Sequence, residues 1–192
     1  FYHQYKFSNP TLGNNDYFNY MKMVERPFDY EVTESPFVYR QFTTLISKLI
    51  YESGVYYDSK IVYKCDKKEQ KIYFSILLSN YVGMMFCFFS IIGFLLRKYG
   101  YIRIETIFFP IFLITSSFGY NFNGLSVLTE GWTYFFNTIL FLLFVNQKVF
   151  YFILLSLLSV LNKELSVIFI SIFISFNLLY EFIRFKKINV IS

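Results

Sequence analysis

Charge is scarce in this sequence, and the scarcity is uneven. Charged residues make up 16% of the 192 positions, where soluble domains carry about 25%. Residues 1–71 hold 10 of the 18 Lys and Arg and 9 of the 13 Asp and Glu, so residues 72–192 are nearly stripped of ions. The two cysteines, Cys65 and Cys87, fall on either side of an expected membrane boundary, which argues against a disulfide, and they lack the spacing of a metal site. The lone histidine, His3, is assigned no role. No internal repeat and no nucleotide, zinc or calcium motif is present, so no cofactor is specified. Asn9-Pro10-Thr11 is not a glycosylation acceptor, because proline occupies the middle position. The chain opens on Phe1 rather than Met and shows no signal-peptide pattern; a fragment of a longer protein is expected, with an apolar span just upstream. A net charge of +5 without a stripe of bases interleaved with exposed aromatics excludes nucleic acid as a partner.

What fills the space is hydrophobic. Apolar residues reach 55%, aromatics 24% and mean hydropathy is +0.42. Crossing a bilayer takes about 20 apolar residues, and runs of this kind are expected as five spans at 72–96, 104–118, 132–145, 149–161 and 165–182. Pro110 interrupts the second, which a membrane helix tolerates. The fold class expected is therefore all-α: a multi-pass membrane helix bundle over 72–192, preceded by an extracytoplasmic segment over 1–71. Threading five spans divides the connections into two sets. One holds Arg97, Lys98, Arg103, Lys148, Arg184, Lys186 and Lys187, and the other only Lys163. Short cytoplasmic loops are enriched in bases, so the first set is placed inside, although Lys64, Lys67, Lys68 and Lys71 crowd the outer end of the first span. The expected location is a bacterial inner or plasma membrane, with membrane lipids as partners.

The fourth run has only 13 residues, about 20 Å of helix against a hydrocarbon core of about 30 Å. It ends in Asn162-Lys163-Glu164. Polar backbone at membrane depth survives inside protein or beside a water-filled cavity, so these three are expected to line a recess. Upstream, Tyr17, Tyr20, Met21 and Val24 recur at helical spacing after Asn15-Asp16 and before Pro27. The stretch PFVYRQFTTLISKLI predicts an amphipathic interfacial helix from Ser35 to Gly54. Its apolar face is Val38, Phe42, Leu45, Ile46, Leu49 and Ile50, opposite Arg40, Thr44, Ser47 and Lys48.

Under this topology Asp16, Glu130, Asn162, Lys163 and Glu164 share the outer side. Ionisable residues in such positions usually mark a functional path, but each has a plainer role available. Asp16 suits a helix cap, Glu130 the positive end of a helix, and Lys163 and Glu164 a loop ion pair. Arg40 suits either a phosphate or lipid headgroups, and Trp132 an interface anchor.

An acid in the first outer loop, the helix PFVYRQFTTLISKLI, an acid opening a later span and LNKELSVIF after a short apolar run together resemble bacterial multi-pass glycosyltransferases of the GT-C type. Those proteins often show a P-F-x-Y-R helix and an N-R-E-T segment in the same order. The resemblance implies transfer of a sugar from a polyprenyl-phosphate donor on the extracytoplasmic side. It implies Asp16 as the catalytic base, and Arg40, Glu130, Asn162, Lys163 and Glu164 as substrate-binding residues, with no metal. Lys163 stands where Arg is usual, Leu165 where Thr is usual, and Glu130 where Asp is commoner. A transporter or lipid-carrier flippase, and a non-catalytic membrane scaffold, are the alternatives.

Overall fold

The computed structural model describes residues 1–7, 9, 16–29, 31–33, 40–100, 130–164 and 166–191. Among them there are seven helices and no strand: α1 (Tyr2–Phe7), α2 (Asp16–Glu25), α3 (Gln41–Glu52), α4 (Lys67–Tyr99), α5 (Glu130–Val145), α6 (Val149–Asn162) and α7 (Ser166–Ile191). Two helices are long and apolar enough to cross a membrane, α4 and the Ser166–Ile183 part of α7. Five spans are not seen. The run 104–118 lies outside the described residues, and α5 and α6, with 16 and 14 residues, reach only about 24 and 21 Å. Polar residues cut them short, Asn146-Gln147-Lys148 between them and Asn162-Lys163-Glu164 after α6.

Helix α4 begins five residues before the apolar run. Asp66 caps it by accepting a hydrogen bond from the Glu69 N–H at 2.7 Å, and Glu69 at the third helical position matches a capping box. Gly100, at φ 70°, ends it and donates its N–H to the Leu96 carbonyl. Ile72 to Leu77 are buried all round, because α1, α2 and the 53–65 segment wrap this part of the helix in aromatic rings. Tyr5, Tyr17 and Tyr63 each lie within 6.0 Å of Tyr73, centroid to centroid. Gln70 donates to both the Tyr5 hydroxyl and the Ser59 carbonyl at 2.8 Å. The first turns of the expected span are thus the core of a protein cap. Beyond Met84 the helix is largely uncovered, with Met85, Phe86 and Phe89 exposed.

Helix α5 runs parallel to α4 in a constant register: Asn80 meets Gly131, and Cys87 meets Thr138. Helix α6 returns antiparallel to α5. The turn between them is a Schellman motif, in which the Lys148 N–H bonds to Leu143 O at 2.9 Å and the Gln147 N–H to Phe144 O at 3.0 Å. Gln147 occupies the left-handed position at φ 55°, a conformation glycine adopts without cost and other L-residues adopt at about 1 kcal/mol. Gln147→Gly is expected to stabilise the fold by about 1 kcal/mol, read as a higher midpoint in thermal unfolding.

Where α3, α5 and α6 meet, the interior is polar. In α3 the buried residues are Gln41, Thr43, Thr44 and Ser47, while Leu49 is exposed. The helix forms over Gln41–Glu52, with Arg40 as its non-helical cap rather than inside it and the expected start at Ser35 outside the described residues, and it presents the hydroxyl face to the bundle. Thr44 and Ser47 are satisfied by the Gln41 and Thr43 carbonyls of their own helix at 2.9 and 2.8 Å, so burying them leaves no unpaired group. Helix α7 is uncovered over most of its length, with Phe176, Leu178, Tyr180 and Phe182 all exposed.

Candidate functional site

The polar residues of α3, α4, α5 and α6 meet at one end of the bundle. Asn162, the last residue of α6, is fully buried. Its amide oxygen accepts from the Thr43 hydroxyl at 2.6 Å, and its amide nitrogen donates to the Thr133 hydroxyl at 2.9 Å. One side chain therefore ties three helices together. Beside it, the Trp132 indole donates to Ser79 at 3.0 Å, and Asn80 accepts from the Gly131 N–H at 3.2 Å. Trp132, expected at a lipid interface, is buried against Phe42 with centroids 5.1 Å apart.

Arg40 and Glu164 form the outer edge of this cluster. The guanidinium binds the carboxylate bidentately, through Nε to Oε2 at 2.9 Å and through Nη2 to Oε1. Its remaining arm, Nη1, donates to the Tyr20 hydroxyl at 2.8 Å. Arg40 is 11% exposed and Glu164 47%, so the pair has one buried and one wet partner. Burial works against the Arg40 charge, but the hydrogen bonds to Glu164 and the contact with Tyr20 outweigh it and hold the guanidinium above its usual range. The same hydrogen bonds hold the Glu164 carboxyl below the usual carboxylate range, against the opposing effect of burial.

Asp16 opens α2 and is half-buried. It stands four residues before Tyr20, one turn away on the same helical face, and Tyr20 in turn is bonded to Arg40. Lys163 has extended backbone, caps the end of α6 through its N–H to Ser159 O at 3.0 Å, and adds a favourable charge beside Glu164. Glu130 is the first residue of α5, which puts its backbone at this end next to Gly131; its side chain lies outside the described residues. Among the described residues no group of three His, Cys, Asp or Glu side chains is placed to hold a metal.

The sequence marks Arg40 and Glu164 separately and does not pair them, since they stand 124 positions apart. It marks Tyr20 only as part of an apolar face and gives no role to Thr43, Ser79, Asn80 and Thr133. The available signal was the presence of small polar residues and an Asn inside otherwise apolar runs, where each must find a partner. Arg97, Lys98 and Lys148 lie at the far end, where α4 and α5 finish and α6 starts, and Lys163 lies with the cluster. Compared with family models, curated proteins and solved structures, the chain matches nothing.

Proposed function

We propose that this chain belongs to a multi-pass membrane protein that transfers a sugar from a polyprenyl-phosphate donor on the extracytoplasmic side of a bacterial inner or plasma membrane. The observation that carries the proposal is the bidentate Arg40–Glu164 pair, seated on a buried polar cluster at the end of apolar helices and bonded through Arg40 to Tyr20, a residue one helical turn from Asp16. A fork that grips a carboxylate through two parallel N–H bonds has the geometry to grip a phosphate. The acceptor hydroxyl would attack the anomeric carbon, its proton passing to Asp16. The carbon–oxygen bond to the lipid phosphate would break, and Arg40 and Lys163 would stabilise the departing phosphate.

The membrane reading draws support from the polar interior where α3, α5 and α6 meet and from α4. Its part beyond the aromatic cap, residues 78–96, is about 28 Å long, close to a hydrocarbon core of about 30 Å. The parallel arrangement of α4 and α5 is also what first and third spans would adopt. Five spans, an outward-facing residue 163 and a recess sunk below the outer surface complete the proposed topology.

In the full-length protein, Asp16→Asn is expected to lower sugar transfer from a labelled polyprenyl-phosphate donor by about 10²- to 10⁴-fold. Unchanged turnover removes Asp16 from the mechanism. A non-catalytic scaffold is favoured by one observation, the complete hydrogen bonding of the Asn162 side chain, which is what a purely structural joint requires. It predicts no transfer in the unaltered protein. Cysteine labelling at position 163 but not at position 98 from outside is expected, and reversed accessibility overturns the orientation.

A further inference from the structure

At the end of the bundle remote from Arg40 and Glu164, the last turns of α4 and α5 and the start of α6 enclose a cavity of about 680 Å³. Volumes of roughly 300–1,000 Å³ are typical of small-ligand sites. Its rim carries Arg97, Lys98 and Lys148, and its wall is apolar, with Phe94, Ile139 and Leu142. Among the described residues no acidic side chain lines it. All three bases are exposed, and none of them is in an ion pair among the described residues. Glu181 lines a separate cavity on the other flank of Lys148.

The surroundings reinforce the positive potential. The 14-residue helix α6 starts at this cavity, bringing the positive end of its dipole and its first-turn N–H groups. The opposing negative ends of α4 and α5 are blunted, because Gly100 caps the Leu96 carbonyl and the Schellman turn caps those of Leu143 and Phe144. The Lys98 ammonium lies 5.7 Å from the Phe94 ring centroid and 5.6 Å from that of Tyr99, an aromatic seat for a cation at a water–hydrocarbon boundary. Below the rim, Phe86, Phe89 and Phe141 are exposed on the same two helices.

We propose that this cavity binds the headgroup of an anionic phospholipid, its phosphate held by Arg97, Lys98 and Lys148 and its acyl chains lying along the apolar surfaces of α4 and α5. Three bases over an uncharged wall complement a negative headgroup attached to hydrocarbon. A zwitterionic lipid would bring its own cation into a site that offers no carboxylate. Basic pockets between helices on the cytoplasmic side are of this kind. The inference rests on the membrane reading of the chain and is independent of sugar transfer.

The test is native mass spectrometry of the detergent-purified full chain, titrated with dioleoyl phosphatidylglycerol or dioleoyl phosphatidylcholine. Phosphatidylglycerol is expected to bind at least about tenfold more tightly, at about 1 kcal/mol per base near a membrane surface. The combined Arg97→Gln, Lys98→Gln and Lys148→Gln variant is expected to lose that preference to within about twofold. Lys64→Gln, Lys67→Gln and Lys71→Gln, which remove the same charge at the opposite end of α4, are expected to keep it. Equal preference in both triple variants overturns the site, as does equal loss in both. Displacement of the lipid by an equimolar amount of inorganic phosphate would assign the cavity to free phosphate instead and overturn the lipid proposal. Vesicle flotation separates the two readings. A chain that does not float removes the membrane reading and the lipid site together, whereas one that floats without lipid preference removes the lipid site alone.

Discussion

Gly131→Val is expected to separate α4 from α5 and leave little folded protein. A Cβ at position 131 would lie 2.1 Å from the Asn80 carbonyl oxygen, 2.7 Å from its carbon and 2.9 Å from its Cα. All three atoms are backbone, so no side-chain rotation relieves the overlap, and the helices themselves must move. The approach is tight from both sides, since a Cβ on Gly83 would meet the Gly131 carbonyl carbon at 2.8 Å. Small residues at a helix crossing permit such close backbone contact. Moving α5 away stretches the hydrogen bonds from Gly131 to Asn80, from Trp132 to Ser79 and from Asn162 to Thr133. Overpacking alone costs about 1–3 kcal/mol, and three buried hydrogen bonds add about 1 kcal/mol each. The sum, about 4–6 kcal/mol, is comparable with the whole stability of an ordinary domain. Trp132 is the only tryptophan and sits at the crossing, so its fluorescence reports the loss during thermal unfolding. Gly93→Ala in α4 meets nothing within 4 Å and is expected to be neutral or to stabilise by up to about 1 kcal/mol. A Gly131→Val protein that melts like the unaltered chain would refute the crossing geometry.

The second large effect concerns the Arg40–Glu164 pair. Arg40→Ala removes two charge-assisted bonds to Glu164 and one to Tyr20, and is expected to cost about 2–3 kcal/mol. Arg40→Lys keeps the charge but cannot form the parallel fork, and should recover less than half of that loss. Because Glu164 is about half exposed, water screens the interaction. The coupling measured by a double-mutant cycle with Glu164→Gln is therefore expected at about 1–2 kcal/mol, below that of a fully buried pair. The pH dependence has a definite sign. Arg40 stays charged throughout, and the Glu164 carboxyl is depressed in the folded state, so the folded chain binds fewer protons than the unfolded one in this range. The contribution is complete above the ordinary glutamate value near about 4.3 and disappears as pH falls through the lower, folded value. The unaltered protein should lose stability on acidification below about pH 4, and Glu164→Gln should flatten that limb. An identical acid limb in both proteins would show that the pair does not contribute.

The interplay of pattern and packing differs from element to element. Helix α2 is legible because Tyr17, Tyr20, Met21 and Val24 recur on one face and all four are buried. For α3 the period reads correctly and the burial reads backwards. Helical spacing separates two faces but does not say whether the greater demand for burial comes from apolar groups in water or from polar groups in hydrocarbon. The partner of Thr43, Asn162 on α6, settles it for the hydroxyl face. The run starting at Ile72 illustrates another limit: hydropathy over 25 residues cannot distinguish a turn wrapped by Tyr5, Tyr17 and Tyr63 from one facing lipid. The candidate site was half visible. Ions and amides at apolar boundaries stand out in the sequence, but which of them meet depends on how far the chain travels between them.

Local composition was sufficient to make the described chain helical, to stop α5 and α6 after about four turns each and to put Lys148 and the Asn-Lys-Glu segment at opposite ends of α6, because period, caps and breakers act within a few residues. Three-dimensional packing alone joined Arg40 to Glu164, enclosed Asn162 between two threonines and brought Gly131 against the Asn80 backbone. Those contacts link residues 29 to 124 positions apart, and their energies exist only once the helices have docked and water has left the space between them.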